Sequence, residues 1–274
     1  MDIKPSEDGV THINVYSRGN TELGRLLSNF AHTPFSHPEF GEFASVEGFW
    51  YWLSLGKVYE ELRPLYGFKC KQKGKELKTN GAKETHVDDF EIQIKKALLL
   101  KVEQNQTVAK LLKESSLPLT HYYVYGNDLN DPGKYKIIHL NKFNWIVDYL
   151  SIVRLYLNGL AHKVIIAGSR DITDYSYLKG IFNKTDLEVV EFVSGTARGV
   201  DTLCIELAKE IKVPCALFPA DWDLYKKAAG HIRNEQMAKY ATALISIWDG
   251  ESPGTKNMID LASKHNLVHK GFLY

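Results

Sequence analysis

Cysteine, long apolar runs and an excess of charge of one sign are all scarce in this sequence, and each absence excludes a class of protein. The three cysteines, Cys70, Cys204 and Cys215, are widely spaced and form no CxxC pair. This argues against a disulfide framework or a zinc cluster and favours a reducing compartment. No run is long enough for a membrane-spanning helix, and the first residues, MDIKPSEDGV, contain no apolar signal-peptide core. We therefore expect a cytoplasmic protein, in a bacterium or an infected host cell, without membrane contact.

The charges nearly cancel, since 34 Lys and Arg face 33 Asp and Glu and leave a net charge of +1. This balance argues against nucleic-acid binding through bulk electrostatics, although the lysines of the segment 68–78 could contact a phosphate backbone. A solvated loop before a helix explains these lysines equally well. His32, His37, His86 and His121 lack the spacing of metal ligands. We predict no metal and no required cofactor.

The pattern of the chain changes near residue 160, and 274 residues suit two domains. Beyond that point, short β-branched runs alternate with helical patterns. The runs are KVIIAGSR (163–170), EVVEFVSG (188–195), PCALFPAD (214–221) and ATALISIWDG (241–250). Strands that are apolar on both faces indicate a parallel sheet covered on both sides. We predict an α/β protein, with a mostly helical α+β domain over 1–160 and a doubly wound parallel sheet over 161–274.

The stretch VSGTARGVD joins the second of these strands to a helix. Val200, Leu203, Cys204 and Leu207 recur at helical spacing, which places the helix start just after Gly199. Free N–H groups and the positive end of the dipole make a helix N-terminus at the carboxyl edge of a sheet a site for anions. The turn therefore predicts a bound phosphate.

Several polar motifs follow the strands, and together they resemble a known superfamily. The motifs GSRDITDY, VSGTARGVD, FPADW, AAGHIRNEQMAKYA and WDGESPGTKNMI, over about residues 162–274, are similar to the SLOG superfamily in its YspA-like branch. The resemblance implies a Rossmann-like fold that binds a nucleotide, such as an ADP-ribose species, at these loops.

The strand ends and the resemblance predict one set of nucleotide-binding residues. They are Gly168, Ser169, Arg170, Ser194, Gly195, Thr196, Arg198, Gly199, Asp201, Asp221, Trp222, Arg233, Asn234, Asp249, Gly250, Gly254 and Thr255.

Structural explanations of these residues stay open as well. Asp201 could complement the helix dipole, Ser194 or Thr196 could cap the helix, Trp222 could be a core aromatic, and Arg233 could lie on an exposed face.

Related phosphoribohydrolases carry a glutamate in a PGGxGTxxE motif, whereas this chain reads SPGTKNMID, with Asn257 and Met258 near the place of the acid. Cleavage of an N-glycosidic bond needs a carboxylate near the ribose or the water. The C-terminal half is therefore predicted to bind its nucleotide and not to hydrolyse it.

The N-terminal part shows helical patterns at about 45–66, 89–114 and 143–159, with short extended pieces between them. Within FASVEGFWYWLSLGK, Ser45 is a plausible helix N-cap, and Glu47 follows in the first turn among Phe and Trp residues. A carboxyl in apolar surroundings is expected to have a raised pKa, which suits proton transfer near neutral pH. A surface glutamate that complements the helix dipole is the alternative.

The motifs INVYSRG, LSNFAHTPF, FASVEGFWYWLSLGK, KQKGKELK, KKALLLKVEQNQTVAKLLKES and THYYVYGN, over about residues 12–155, resemble the NADAR superfamily. Its members cleave N-glycosidic bonds in ribosylated compounds, including ADP-ribose attached to guanine in nucleic acid. The resemblance implies catalytic roles for Glu47, Asn29 and Tyr125. It implies substrate binding by Phe30, Trp50, Lys75, Asp89 and Phe90.

The chain departs from the NADAR pattern at four places. Gly48 stands where the family has His after the acid, and Lys75 stands where it usually has the Arg of a Gly-Arg pair. Phe90 replaces a Trp, and Tyr125 replaces the Trp of a Trp-Gly pair. The replacements by Phe and Tyr keep an aromatic surface for a base but lose the indole N–H donor.

Together these patterns predict an N-glycosidase that acts on an ADP-ribosylated or otherwise ribosylated nucleotide and carries a second, nucleotide-binding domain. The alternative is a non-catalytic sponge or sensor of an NAD-derived signal such as cyclic ADP-ribose, in conflict between phage and bacterium. The expected partners are an NAD-derived or other nucleotide, ADP-ribosylated nucleic acid and, as a homo-oligomer, a second copy of the chain.

Overall fold

The protein is described by a computed structural model that covers residues 3–126 and 128–274. The chain divides into two compact units, Met1–Leu157 and Asn158–Tyr274. This division lies three residues before the boundary that the sequence pattern suggests.

The N-terminal unit combines six helices with three two-stranded sheets among its described residues. Its elements are β1 (Ile13–Asn14), α1 (Glu22–Leu27), β2 (Phe35–His37), β3 (Gly41–Phe43), α2 (Val46–Ser54), α3 (Phe68–Thr79), α4 (Phe90–Gln104), α5 (Gln106–Glu114), β4 (Leu119–Thr120), β5 (Tyr122–Gly126), β6 (Tyr135–His139) and α6 (Asn144–Leu157). β1 pairs with β4 in parallel, whereas β2 with β3 and β5 with β6 are antiparallel pairs. Every residue of α4 from Ile94 to Val102 is buried, so this helix forms the centre of the unit.

The helical patterns differ from the helices at two places. The pattern at 89–114 contains two helices that meet at Asn105, which is both the C-cap of α4 and the N-cap of α5. The interpretation of 68–78 as a solvated loop is wrong, because this segment forms α3. Cys70, Gly74 and Leu77 are the buried positions of α3, and lysine, a good helix former, fills most of the others.

The C-terminal unit is a five-stranded parallel sheet with helices on both faces. Its elements are β7 (His162–Gly168), α7 (Tyr175–Phe182), β8 (Val189–Ser194), α8 (Val200–Glu210), β9 (Cys215–Leu217), α9 (Trp222–Tyr225), α10 (Ala229–Tyr240), β10 (Ala243–Trp248), α11 (Pro253–Lys264) and β11 (Val268–Leu273). Val164 and Ile166 of β7 pack in one apolar cluster and Ile165 and Ala167 in another. Since adjacent side chains point to opposite faces of a sheet, both faces are covered and the prediction of a doubly wound parallel sheet is confirmed.

The strand order, β11-β10-β7-β8-β9, is the order of a Rossmann-like sheet. The chain builds outward from β7 to β9 and then crosses to the other side of β7 for β10 and β11. A crevice opens at such a reversal, between the carboxyl ends of β7 and β10, and this is where open α/β sheets bind ligands. The topology thus assigns the place of a binding site before any side chain is considered.

Among the described residues, no helix combines the length and the apolar character that crossing a bilayer requires.

Candidate functional site

A cleft of about 510 Å³ lies at the carboxyl ends of β7 and β10. Its walls come from the segments after β7, β8 and β10 and from one side of α10. The lining residues are Ala167, Gly168, Ser169, Arg170, Asp171, Ala197, Arg198, Asp201, Arg233, Asn234, Met237, Asp249, Glu251, Ser252, Pro253, Gly254, Thr255 and Met258. Ten of the predicted nucleotide-binding residues are among them, and we call this cavity the switch-point cleft.

Two glycines let the strand ends and the start of α8 approach each other. A Cβ atom on Gly168 would lie 2.6 Å from Val200 Cγ2 and 2.7 Å from the Ile247 carbonyl oxygen. Gly199, the N-cap of α8, has a φ of 78°, and a Cβ there would lie 2.6 Å from the Ser169 and Arg170 carbonyl oxygens. α8 begins at Val200, so the predicted helix start is confirmed.

Asp201 connects three segments of the wall of the switch-point cleft: its own helix α8, the helix α10 and the loop after β8. It is 9% exposed, and its Oδ2 accepts hydrogen bonds from Arg233 Nη1 at 3.1 Å and from the Ala197 amide at 3.2 Å. Burial raises the pKa of Asp201, while Arg233 acts in the opposite direction. Ser194 Oγ donates to the Asp201 carbonyl at 2.8 Å. Asp201 is therefore the buried partner of Arg233 in an ion pair. The sequence had suggested only an interaction of Asp201 with the helix dipole.

Arg233 lies against a glycine and is largely enclosed. A Cβ on Gly195 would lie 1.4 Å from Arg233 Nη1, so the guanidinium occupies space that only glycine leaves open. The Arg233 side chain is 12% exposed, and its Nε is buried with no hydrogen-bond partner in the described part of the chain. The interpretation of Arg233 as an exposed helical residue is wrong, because Asp201 and Gly195 draw it into the cleft.

A second cavity of about 520 Å³ adjoins the switch-point cleft and shares Arg170, Ala197, Arg198 and Arg233 with it. Its other lining residues are Gly195, Thr196, Pro219, Ala220 and Trp222. We call it the tryptophan cavity. The interpretation of Trp222 as a core aromatic is wrong, because its side chain stands on the four-residue helix α9 and is 52% exposed.

Four predicted residues line neither cavity: Ser194, Gly199, Asp221 and Gly250. Ser194 is buried beneath the turn. Asp221 caps α9, since its Oδ1 accepts a hydrogen bond from the Leu224 amide at 2.9 Å. These residues shape the loops around the cavities.

The sequence did not predict some of the hydrogen bonds around the switch-point cleft. Asp249 Oδ1 accepts hydrogen bonds from the amides of Ser252 at 2.7 Å and Glu251 at 3.0 Å, which lower the pKa of Asp249. Asn234 Nδ2 donates to Asn257 Oδ1 at 3.0 Å. Asp249, Ser252 and Asn257 lie close to one another in sequence, but only the folded turn decides which of them pair.

The N-terminal unit contains a larger cleft of about 990 Å³. Its walls are the segment after β1, the loop after α1, one side of α2, the start of α3 and the strand β5. The lining residues are Val15, Tyr16, Ser17, Arg18, Arg25, Leu26, Ser28, Asn29, Phe30, Ala31, His32, Glu47, Trp50, Tyr51, Ser54, Gly67, Phe68, Lys71, Lys78, Glu84, His121, Tyr123, Tyr125, Phe143 and Ile146. We call it the glutamate cleft.

Glu47 is the distinctive group of this cleft. Ser45 caps α2 as predicted, because its Oγ accepts a hydrogen bond from the Gly48 amide at 3.0 Å. The Glu47 amide donates to the Asn29 carbonyl at 2.9 Å, which fixes the start of α2 against the loop after α1. The Glu47 carboxyl has no hydrogen-bond or ion-pair partner among the described residues. Burial raises its pKa to about 7, and Lys71 opposes the shift.

Five of the eight residues predicted for the N-terminal site line the glutamate cleft: Asn29, Phe30, Glu47, Trp50 and Tyr125. Lys75, Asp89 and Phe90 do not. The Phe90 ring packs edge-on against Trp50, with ring centroids 4.8 Å apart, and so supports the wall from behind.

Lys75 is exposed on α3, whereas Lys71 and Lys78, about one turn to either side, line the cleft. Lys78 also forms an ion pair with Glu84. The basic residues that lie at the cleft are therefore Lys71 and Lys78, together with Arg18 and Arg25, and not the lysine that the family pattern indicates.

Among the described residues, no group of three or more His, Cys, Asp and Glu side chains could hold a metal ion. Neither cleft is built as a metal site.

Comparison with known proteins bears on the C-terminal unit. No curated protein matches the chain. Among solved structures, the crystal structure of DNA processing protein A (DprA) from Streptococcus pneumoniae matches with 13% identity over 84% of this chain and 87% of that chain. Its TM-score is 0.33, so no conclusion for this chain follows from it. Residues 162–225 match the YAcAr family, described as the YspA, cpYpsA-related SLOG family. The C-terminal unit therefore contains a SLOG domain, of a family associated with nucleotide-related ligands, whereas the NADAR resemblance of the N-terminal unit stays a prediction.

Proposed function

We propose that the glutamate cleft is the active site of an N-glycosidase that acts on an ADP-ribosylated or otherwise ribosylated nucleotide. One observation carries this proposal: Glu47 brings a carboxyl without a partner, with a pKa of about 7, to the wall of a large cleft. A general acid or base works best when its pKa lies near the working pH. A structural carboxylate would instead be paired, as Asp201 is.

The reaction replaces the bond between ribose C1′ and the base nitrogen by a bond between C1′ and a water oxygen. As the C–N bond breaks, its electron pair leaves with the base, and positive charge develops on the ribose. The ionised Glu47 stabilises that charge and accepts a proton from the attacking water. The base nitrogen finally takes up the proton that Glu47 accepted, so that the free base and the free ribosyl compound, such as ADP-ribose, result and Glu47 is ionised again. Asn29 and Tyr125 position the substrate.

The charges around the cleft suit the phosphates of such a substrate. Arg18, Lys71 and Lys78 are available along its walls, although Lys78 already faces Glu84. Lys71 takes the phosphate-binding role that the family pattern gives to Lys75. Guanidinium and ammonium groups are the usual ligands of phosphate in proteins.

In the C-terminal unit, the two adjoining cavities suit a two-part nucleotide such as an ADP-ribose species. Arg170, Arg198 and Arg233 stand where the cavities meet, which is the place for phosphates. Trp222 offers its half-exposed ring to a base. Because Asp201 and Asp249 are occupied by hydrogen bonds, this domain binds the nucleotide without cleaving it.

The test is to incubate the protein with ADP-ribosylated guanine DNA, NAD, ADP-ribose and cyclic ADP-ribose, and to follow all products by mass spectrometry. The wild type should release free base from at least one compound, and Glu47→Gln should not. Glu22→Gln is the matched control, since Glu22 also lies in the first turn of a helix but is exposed. Intact recovery of every compound with the wild type would overturn the glycosidase proposal.

A second function, a non-catalytic sponge or sensor of an NAD-derived signal, is favoured by one observation. Gly48 and Tyr125 stand where the NADAR pattern has His and Trp, so this chain lacks two N–H groups of that pattern. If compounds are recovered intact but one of them stays bound to the purified protein, this function replaces the first, and the switch-point cleft is the place to mutate.

A further inference from the structure

The strand β5 presents every second residue to the glutamate cleft. Tyr123 and Tyr125 line the cleft, as does His121 just before the strand, whereas Tyr122 is 1% exposed and points into the core. This is the alternation of side chains along a strand. Tyr125 is 56% exposed, while His121 and Tyr123 are partly buried. His121 and Tyr123 therefore form a deeper part of the cleft wall than Tyr125 does.

His121 is held in one orientation and one tautomer. Its Nδ1 lies 2.7 Å from the Val15 carbonyl oxygen. Because a carbonyl only accepts hydrogen bonds, Nδ1 must carry the proton. Burial lowers the pKa of His121 from its ordinary value, although the hydrogen bond to Val15 opposes the shift, and burial therefore favours the neutral ring. Nε2 then has a free lone pair, and no described residue bonds to it.

The surroundings of His121 suit a flat aromatic ligand beside Glu47. The His121 and Tyr123 rings meet edge-on, with their centroids 5.6 Å apart. The centroids of the Tyr16 and Tyr123 rings are 5.1 Å apart. Glu47 lines the same cleft as His121 and Tyr123, so a base bound against this wall shares the cleft with the Glu47 carboxyl.

We propose that His121 is a specificity-determining residue of the glutamate cleft, whose Nε2 accepts a hydrogen bond from an exocyclic amino group of the nucleotide base. The inference rests on the proposed function only in that the cleft takes a nucleotide. It names the substrate class more closely, as a base that carries an N–H donor on the edge facing His121.

The expected discrimination follows from the energy of one hydrogen bond. An intramolecular or ligand hydrogen bond to a neutral acceptor contributes a net ~0.5 to 1.5 kcal/mol. This corresponds to roughly 2- to 10-fold in affinity. A base without the donor would leave Nε2 desolvated and unpaired, which is the source of the difference.

The test compares nucleotide pairs that differ by one amino group: AMP with purine riboside 5′-monophosphate, and GMP with IMP. Binding to the full-length protein is followed by methyl NMR of Leu26 and Ile146, which line the glutamate cleft and not the C-terminal cavities. Three proteins are titrated: wild type, His121→Asn and His121→Phe. Asn can still donate to the Val15 carbonyl but has no atom at the position of Nε2. His139→Asn, on the paired strand β6 and exposed, is the control.

The wild type and His139→Asn should bind the amino-bearing member of at least one pair 2- to 10-fold more tightly, and both His121 variants should lose this preference. Equal binding of the members of both pairs by the wild type would overturn the proposal, as would the absence of any nucleotide-dependent shift of these methyl signals. A preference that persists in His121→Asn would also overturn it, because Nε2 is absent from that variant. Because these are binding measurements, they can succeed even when the cleavage experiment with Glu47→Gln fails.

Discussion

The two clefts each contain a carboxyl whose pKa is raised by burial, and they use it differently. Asp201 is bonded to Arg233 and to a backbone amide, so it serves to fix the wall. Glu47 has no such partner within the described residues, and its pKa lies at about 7. Burial alone therefore does not produce an acid–base group; the absence of a partner is also required. This difference is the reason for proposing chemistry in one cleft and binding in the other.

The largest expected effect is the loss of turnover in Glu47→Gln, which tests the catalytic role of Glu47. Glu47→Gln should lower the turnover of the cleaved substrate by about 10²- to 10⁴-fold, the usual contribution of general acid–base catalysis. In the wild type, the rate should rise with pH around a midpoint near 7, because the ionised form of Glu47 is required. The measurement is a pH–rate profile of both proteins. A wild-type rate that falls through this range would assign Glu47 the role of an acid.

The second prediction concerns the structural role of Asp201, and alanine substitutions at two glycines of the C-terminal unit test it. Gly195→Ala would place a methyl group 1.4 Å from the present position of Arg233 Nη1 and should displace the guanidinium. Breaking a buried ion pair leaves Asp201 uncompensated and should cost roughly 3 to 4 kcal/mol of unfolding free energy. Chemical denaturation measures this.

Gly254→Ala is the matched control, because a Cβ at Gly254 meets nothing within 4 Å. Adding Asp201→Asn to Gly195→Ala should restore part of the lost stability, since no buried carboxylate is then left without its partner. Equal stability of the two alanine variants would show that Arg233 is not held by Gly195.

A third prediction concerns the effect of pH on stability through Glu47. Its pKa is about 7 in the folded protein and about 4.3 in an unfolded chain. The folded protein thus binds the proton more tightly, so the wild type should gain stability relative to Glu47→Gln as the pH falls from 9 to 4.5. At pH 9, Glu47→Gln should be the more stable protein by about 3 to 4 kcal/mol.

Urea denaturation of both proteins at pH 9, 7 and 5 measures this difference. A constant difference over this range would mean that the Glu47 carboxyl has an ordinary pKa. The comparison with Asp201 would then lose its basis.

The smallest effect concerns the stacking surface of the tryptophan cavity. Trp222→Ala should weaken the binding of ADP-ribose to the C-terminal unit by about 5- to 20-fold, since loss of one stacked base costs about 1 to 2 kcal/mol. Because the side chain is half exposed, thermal stability should change little. Leu224→Ala is the control, since Leu224 is 65% exposed on the same short helix and lines neither cavity. Equal affinities of the two variants would remove Trp222 from the site.

The C-terminal fold could be predicted more fully than the N-terminal one, for a physical reason. Buried parallel strands must be apolar on both faces and appear as continuous β-branched runs, and four of the five strands were found in this way. The fifth, β11, was missed because five of its six residues are exposed at the edge of the sheet. The strands of the N-terminal sheets contain only two to five residues. Such strands are too short to show a periodic pattern of apolar residues.

The residues of the glutamate cleft show the same limit. Motif positions led to Glu47 and Asn29, both of which line it. The same reasoning chose Lys75 over Lys71, because a motif does not state which side of α3 faces the cleft. It also passed over His121, whose only signal was its even spacing from Tyr123 and Tyr125.

The sequence by itself determined the parallel sheet, the start of α8 after Gly199, the cap at Ser45 and the position of Glu47 in the first turn of α2. These are local features, set by periodicity, glycine conformation and capping within a few residues. Only the tertiary structure decided that Asp201 has a partner and that Glu47 has none within residues 3–126 and 128–274, because Arg233 lies 32 residues from Asp201 along the chain. The availability of a carboxyl for chemistry depends on what surrounds it in space, and those neighbours come from distant segments that no local pattern specifies.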